Sequence, residues 1–130
     1  MRIASRTVPV VALDEVFRRL AGSRFRQKFR LRGRELAYLQ TWGIEKVMRD
    51  AEKLIGERLA PAAPRNDGRQ TPWGNHPVFV AQHATATCCR GCLEKVHEIE
   101  KGHALTGDER AHVLGAIRRW LDNAAHADAD

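Results

Sequence analysis

The sequence predicts a small, mainly α-helical domain with one or two short extended segments and a Cys/His knuckle that binds a metal ion. The chain has 130 residues, 43% of them hydrophobic, which is enough for one modest core. Apolar residues recur with the helical period through much of it. All three cysteines and three of the six histidines lie between residues 76 and 97, called here the Cys/His block. We therefore expect one domain over residues 1–130, with residues 1–12 and 123–130 as flexible ends.

Helix boundaries are predicted from capping residues and glycines. Asp14 is expected to cap the first helix, and Gly22 is expected to stop it. Gly43 should separate the second helix from the third. Thr106 and Glu109 have the spacing of a capping box, which predicts the start of the last helix. The four predicted helices cover about residues 14–21, 34–42, 44–59 and 106–122.

Residues 60–75 are predicted to form a long loop, because four of the five prolines lie in or beside this segment. A connection of this length in a small domain usually has a fixed role, so we expect Asn66–Pro72 to pack over the Cys/His block. The run Pro77–Ala81 is short, apolar and β-branched. It predicts a buried extended segment that leads to His83 and the cysteines.

Positive charge is concentrated near the N-terminus. Of the net charge of +6, residues 1–34 contribute +8 and residues 35–130 contribute −2. Cations occupy every second position at Arg24, Arg26, Lys28, Arg30 and Arg32. In an extended segment these side chains would share one face and bind phosphates, which predicts weak, non-specific binding of nucleic acid. The alternative is a half-buried edge strand that its charges keep soluble.

Composition also restricts the cellular context. No apolar run approaches the roughly 18 residues of a membrane span, and the first residues lack the apolar segment of a signal peptide. Three cysteines within five positions cannot form a disulfide framework. We therefore expect a cytoplasmic location, no membrane partner, and cysteines that bind metal or perform thiol chemistry.

The cysteines have the spacing of a metal knuckle. In Cys89-Arg-Gly-Cys92 two intervening residues let both thiolates face one ion. Cys88 is a third candidate ligand, and His97 or His83 would complete a tetrahedral Zn²⁺ site. The alternatives are an iron–sulfur centre, a redox or nucleophilic thiol, and buried cysteines without a chemical role.

Several polar residues near these ligands could line a site. They are Asn66, Asp67, Arg69, Gln70, His76, Gln82, Thr85, Thr87 and Arg90. Arg90 would lower the thiol pKa values or simply be exposed, and the two threonines are expected to satisfy backbone groups in a turn. Two classes of function stay open: a metal-stabilised module that binds nucleic acid, and a metal- or thiol-dependent hydrolase with its site around His76, His83 and the cysteines.

The chain also resembles a known family. The segment from Arg58 to Pro72, followed by HATATCCRGCLEK at residues 83–95, is similar to the bacterial family catalogued as domain of unknown function 4186. The similarity extends from about Phe17 to Leu121. It implies a small cytoplasmic protein in which the polar loop and the Cys/His block form the shared site.

Overall fold

The computed structural model describes residues 10–129, of which residues 126–129 are described by their backbone alone. The described chain is mainly α-helical, as the sequence predicts, and contains no β-strand. Its six helices are α1 (Leu13–Ala21), α2 (Arg24–Gln27), α3 (Gly33–Arg58), α4 (Pro77–Thr85), α5 (Arg90–His97) and α6 (Gly107–Ala129). None of them combines the length and the apolar composition required to cross a membrane.

Helix α3 consists of two helical segments that meet at Gly43. The backbone of Gly43 has φ 83° and ψ 162°, a conformation that glycine adopts without a steric penalty. The prediction of two helices separated by this glycine is therefore confirmed, although the second continues the first almost without interruption.

The predicted extended segment at Pro77–Ala81 is instead the start of helix α4, so this prediction is wrong. His76 caps the helix through its side chain, and Pro77 occupies the first turn, where a missing N–H is tolerated. All nine residues of α4 are buried. A helix that is apolar on every side has no periodic pattern, so its sequence cannot be distinguished from that of a buried strand.

The core of the protein surrounds α4. This helix packs against α1, α2, α3 and α6. Val47, Ile55, Val78, Ile117 and Leu121 are among its fully or almost fully buried residues. The last turn of α4 therefore carries His83 into the interior, toward the segment that holds the cysteines.

The remaining helix ends match the predictions in part. Thr106 and Glu109 form the predicted capping box, each side chain accepting from the backbone N–H of the other residue. Asp14 does not cap α1, because Ala12 takes that position and makes no side-chain hydrogen bond. Helix α6 continues through Ala129. The flexibility of this end stays a prediction, and residues 1–9 lie outside the described part of the chain.

The segment that holds the alternating cations is not a strand. Ser23 caps the short helix α2 by accepting from the N–H of Arg26, and helical backbone extends through Gln27. Within residues 24–34, only residues 28–32 lack helical structure. A helix turns successive side chains by about 100°, so Arg24 and Arg26 do not lie on one face and the predicted single row of five cations is wrong.

Candidate metal centre

The three cysteines converge at the start of α5. Their sulfur atoms all lie within 4.8 Å of one another, close enough to bind a metal ion. The Sγ of Cys89 caps the helix and accepts from the backbone N–H of Cys92 at 3.4 Å. Cys88 is buried, whereas Cys89 and Cys92 are partly exposed. The predicted cluster of Cys88, Cys89 and Cys92, called here the thiol cluster, is present.

A tight turn between α4 and α5 places the thiol cluster. Ala86 ends α4 in the left-handed conformation, at φ 60° and ψ 36°. The Gln82 side chain donates to the carbonyl of Thr87, whose N–H donates back to the carbonyl of Gln82. Thr85 donates to the carbonyl of Ala81 and bonds the hydroxyl of Thr87. Gln82, Thr85 and Thr87 therefore shape the turn. The Thr85 hydroxyl satisfies a backbone carbonyl, as expected, whereas the expected backbone role of the Thr87 hydroxyl stays a prediction.

His83 lies beside the thiol cluster with one ring nitrogen free. Its Nε2 donates to the carbonyls of Thr71 and Pro72, at 3.1 and 3.0 Å. Its ring stacks on Trp73 with the centroids 4.1 Å apart, and only 5% of the residue is exposed. Its Nδ1 is buried and has no hydrogen-bond partner in the described chain. Because Nε2 carries the proton, Nδ1 presents a lone pair.

Arg26 comes to the thiol cluster from α2. Its guanidinium donates to the Cys92 sulfur at 3.1 Å, to the Cys88 sulfur at 3.8 Å and to the carbonyl of His83 at 2.8 Å. The prediction that Arg26 belongs to an outward row that binds phosphates is therefore wrong. The other cations of that row, Arg24, Lys28, Arg30 and Arg32, are exposed. Nucleic-acid binding by these four side chains stays a prediction.

The three thiols of the cluster differ in pKa because their hydrogen bonds and burial differ. Hydrogen bonds from Cys88, Cys89 and Arg26 lower the pKa of Cys92 to about 5. The hydrogen bond to Cys92, together with burial, raises the pKa of Cys88 above its usual range. Burial also raises the pKa of Cys89 and lowers that of His83. Without a metal, the cluster therefore holds one thiolate at Cys92 and two thiols, beside a neutral imidazole.

The long loop packs against the thiol cluster, as the sequence predicts. The Thr71 hydroxyl donates to the carbonyl of Cys88 at 2.7 Å. Asp67 accepts from the backbone N–H of Arg90, the first residue of α5, and from the Gln70 side chain. Asn66 takes a left-handed conformation at φ 55° and accepts from the N–H of Arg69 through its carbonyl. Asp67 thus supplies the loop's direct contact with the helix that carries Cys92.

Two predicted histidines lie elsewhere. His97, at the end of α5, is fully buried and bonds the carbonyl of Thr85 and the ring of His112, so both its nitrogens are engaged. His76, at the opposite end of α4 from His83, accepts from the N–H of Val78 and bonds Asp50. Neither imidazole belongs to the group of ligand atoms that includes the thiols.

Arg90 is neither exposed nor directed at the thiols, contrary to both expectations. It is 1% exposed, and its guanidinium donates to four backbone carbonyls. These carbonyls belong to Leu59, Pro61, Glu100 and His103. Arg90 therefore joins the end of α3 to the segment that precedes α6.

An open cavity of about 520 Å³ lies over the thiol cluster. Besides the three cysteines and His83, its walls include Phe25, Arg26, Arg69 and Trp73. Of the predicted lining residues, only Arg69 reaches this cavity. Phe25, Thr71 and Trp73 were not predicted as site residues. The expected packing of Asn66–Pro72 over the Cys/His block pointed toward Thr71, whereas Trp73 lies one residue beyond that segment.

A comparison with known protein families assigns the chain to one of them. The family model of a domain of unknown function, DUF4186, matches residues 14–122. The chain belongs to this family. The match includes α2, the long loop and the Cys/His block, so every residue of the metal centre described above lies within the DUF4186 domain. No solved structure matches the chain.

Proposed function

We propose that this DUF4186 protein binds Zn²⁺ through Cys88, Cys89, Cys92 and the Nδ1 atom of His83. One observation carries the proposal: three converging sulfur atoms share a cavity with His83, whose buried Nδ1 atom has no partner in the described chain. An unpaired buried nitrogen is costly, and a metal ion would satisfy it. The His83 ring is outside the 4.8 Å group, so it must approach the sulfur atoms when the ion binds.

Zinc fits this set of ligands better than an iron–sulfur cluster does. Thiolate and imidazole groups in a tetrahedral Cys3His set are typical of structural zinc sites. Iron–sulfur clusters are usually held by four cysteine thiolates, whereas the described chain brings three together. The bonds from His83 Nε2 to two carbonyls also fit, because the second nitrogen of a zinc-bound histidine is commonly held in this way.

Arg26 would balance the charge of the loaded site. Three thiolates and one Zn²⁺ leave a net charge of −1, and burying this charge is costly unless an opposite charge is close. The Arg26 guanidinium, 3.1 Å from the Cys92 sulfur, supplies it. A cation in hydrogen-bond contact also favours the thiolate form that zinc requires.

The test is the metal content and ligand set of untagged, full-length protein purified under reducing conditions. We expect about one Zn²⁺ per chain, with Cys89→Ser and Cys92→Ser lowering this content strongly. Replacement of zinc by Co²⁺ should give tetrahedral absorption bands together with sulfur-to-cobalt charge transfer.

Two histidine variants test in the same experiment whether His83, and not another imidazole, is the ligand. His83→Phe keeps the ring that stacks on Trp73 but removes Nδ1, so it should weaken zinc binding and change the cobalt bands. His103→Gln is the matched control, because His103 is partly exposed and bonds Glu109 away from the thiols. Wild-type protein without bound metal and with three freely titratable thiols would overturn the proposal.

Thiol-dependent hydrolysis is the second candidate, favoured by the contact between Arg26 and the Cys92 sulfur at the wall of an open cavity. If Cys92 is a nucleophile, iodoacetamide should label it rapidly in the wild-type protein as purified, and Arg26→Gln should slow the labelling. A zinc site predicts slow labelling that becomes fast only after a chelator removes the metal. The predicted participation of His76 is not retained in this candidate, because both His76 nitrogens are engaged elsewhere.

A further inference from the structure

The cavity over the thiol cluster has a cationic and aromatic rim. Its volume of about 520 Å³ lies in the range of small-molecule sites. Its lining, all within the described chain, includes Arg26 and Arg69 but no aspartate or glutamate. A ligand in this cavity would therefore meet positive charge without an opposing carboxylate.

Arg69 is available to a ligand. Its side chain is exposed at the rim and makes no hydrogen bond or ion pair within residues 10–129. Arg26, in contrast, already bonds the two sulfur atoms and a carbonyl. Zinc and Arg26 together would neutralise three thiolates, so Arg69 would supply the net charge that a ligand meets.

Trp73 offers an aromatic surface at the same rim. Its residue is 67% exposed, although one face stacks on the buried His83 ring at 4.1 Å. Phe25, 42% exposed, meets Trp73 edge to face with the centroids 6.3 Å apart. Large exposed rings beside a cavity are typical of ligand sites, because a stacked ligand removes their apolar surface from water.

We propose that this cavity binds a small aromatic anion, whose ring stacks on Trp73 and whose carboxylate or phosphate group bonds Arg69. The inference rests on the proposed zinc site, because zinc together with Arg26 would offset the charge of the three cysteine ligands in the cavity wall. A planar ring and one negative charge are the two features that the rim recognises. Arg69 can hold either oxyanion with two parallel N–H donors.

The experiment separates the two features with three probes, using calorimetry on full-length protein whose zinc content is measured in every sample. Phenyl phosphate carries both a ring and a charge, inorganic phosphate only the charge, and phenol only the ring. Phenyl phosphate should bind about tenfold more tightly than either of the others, since one charged hydrogen bond or one stacked ring is worth roughly that factor.

Two variants test whether Arg69 recognises the negative charge of the probe and Trp73 its aromatic ring. Arg69→Gln should weaken phenyl phosphate about tenfold and leave phenol unchanged, since it removes only the charged contact. Trp73→Leu should weaken phenyl phosphate and phenol but not inorganic phosphate. The matched control is Arg65→Gln, which removes one charge from an exposed residue of the same loop outside the cavity.

Zinc-loaded wild-type protein that binds phenyl phosphate no better than inorganic phosphate would overturn this inference and leave the zinc proposal intact. Equal losses in Arg65→Gln and Arg69→Gln would also overturn it, because the effect would then come from net charge alone. Wild-type protein that contains no zinc would instead overturn the proposed function, whatever the probes do.

Discussion

The guanidinium of Arg26 lies 3.1 Å from the sulfur of Cys92, a residue 66 positions further along the chain. The same side chain reaches the Cys88 sulfur and the carbonyl of His83. Helix α2 is therefore part of the candidate metal centre, although it supplies none of the proposed ligands. This relationship gives the first prediction.

Arg26→Gln should weaken zinc binding by roughly 10–100-fold, the usual effect of removing a group that supports metal ligands. Glutamine keeps hydrogen-bonding capacity but removes the charge that offsets the thiolates. Competition with a chromogenic zinc chelator measures the change. Arg24→Gln is the control, since Arg24 lies in the same helix with its side chain exposed. Equal affinity in the two variants would contradict the role given to Arg26.

Arg90→Lys should lower the free energy of unfolding by roughly 3–5 kcal/mol, because a single ammonium cannot reach four carbonyls and leaves several without a donor. Urea unfolding of protein saturated with zinc measures this change. Arg49→Lys, at an exposed position of α3, should change the free energy by less than about 0.5 kcal/mol. A small effect of Arg90→Lys would mean that water replaces the lost hydrogen bonds.

The pair of the buried His97 and the half-buried His112 should make stability depend on pH. His97 Nε2 donates to the carbonyl of Thr85, and its Nδ1 therefore accepts from His112. Burial lowers the pKa of His97 from 6.5 to about 4. Between these values the unfolded chain binds more protons than the folded one, so stability is complete above about pH 6.5 and falls as the pH drops toward 4.

By this linkage, protonation of His97 should lower the free energy of unfolding by about 3 kcal/mol as the pH falls from about 6.5 to below 4. His97→Gln keeps one donor and one acceptor but cannot titrate, so its stability should fall less than that of the wild type between neutral pH and pH 4.5. Zinc loss at low pH affects both proteins, and their difference isolates His97. Parallel pH curves for the two proteins would contradict this assignment.

Nucleic-acid binding by the exposed cations of residues 24–32 has its own test. If Arg24, Arg30 and Arg32 contact phosphates, changing all three to Ser should flatten the slope of log K against log salt by roughly 2–3 units. Fluorescence anisotropy with a labelled single-stranded oligonucleotide measures this slope. A variant with Arg49, Lys53 and Arg65 changed to Ser loses equal charge from exposed positions elsewhere. Identical slopes in the two variants would reject a specific role for this segment.

Local signals predicted much of the fold. The capping box at Thr106 and Glu109 and the break at Gly43 both depend on residues close in sequence, and both are present. Helix α4 was missed because its sequence is apolar on every side, and only its surroundings decide between helix and strand. The same limit applies to Arg26, whose alternating neighbours favoured a strand.

The sequence predicted which cysteines form the candidate metal centre better than it predicted how the surrounding residues are arranged. The spacing of Cys89 and Cys92 identified the thiol cluster, and the long loop was expected to cover it. The choice between His83 and His97 depended on which imidazole keeps a free nitrogen, and this is fixed by tertiary contacts with Thr71, Pro72 and His112. The carbonyl contacts of Arg90 are equally remote in sequence.

All four proposed ligands fall between residues 83 and 92, so an unfolded chain also carries them within one short peptide. An ion that binds both states stabilises the folded one only by the ratio of its two affinities. Arg26 and the carbonyls that hold His83 exist as partners only after α2 and the long loop have docked. Zinc should therefore raise the free energy of unfolding by much less than its affinity for the folded protein implies. The affinity of the unfolded chain would keep residues 83–92 bound to zinc even while the rest of the chain is denatured.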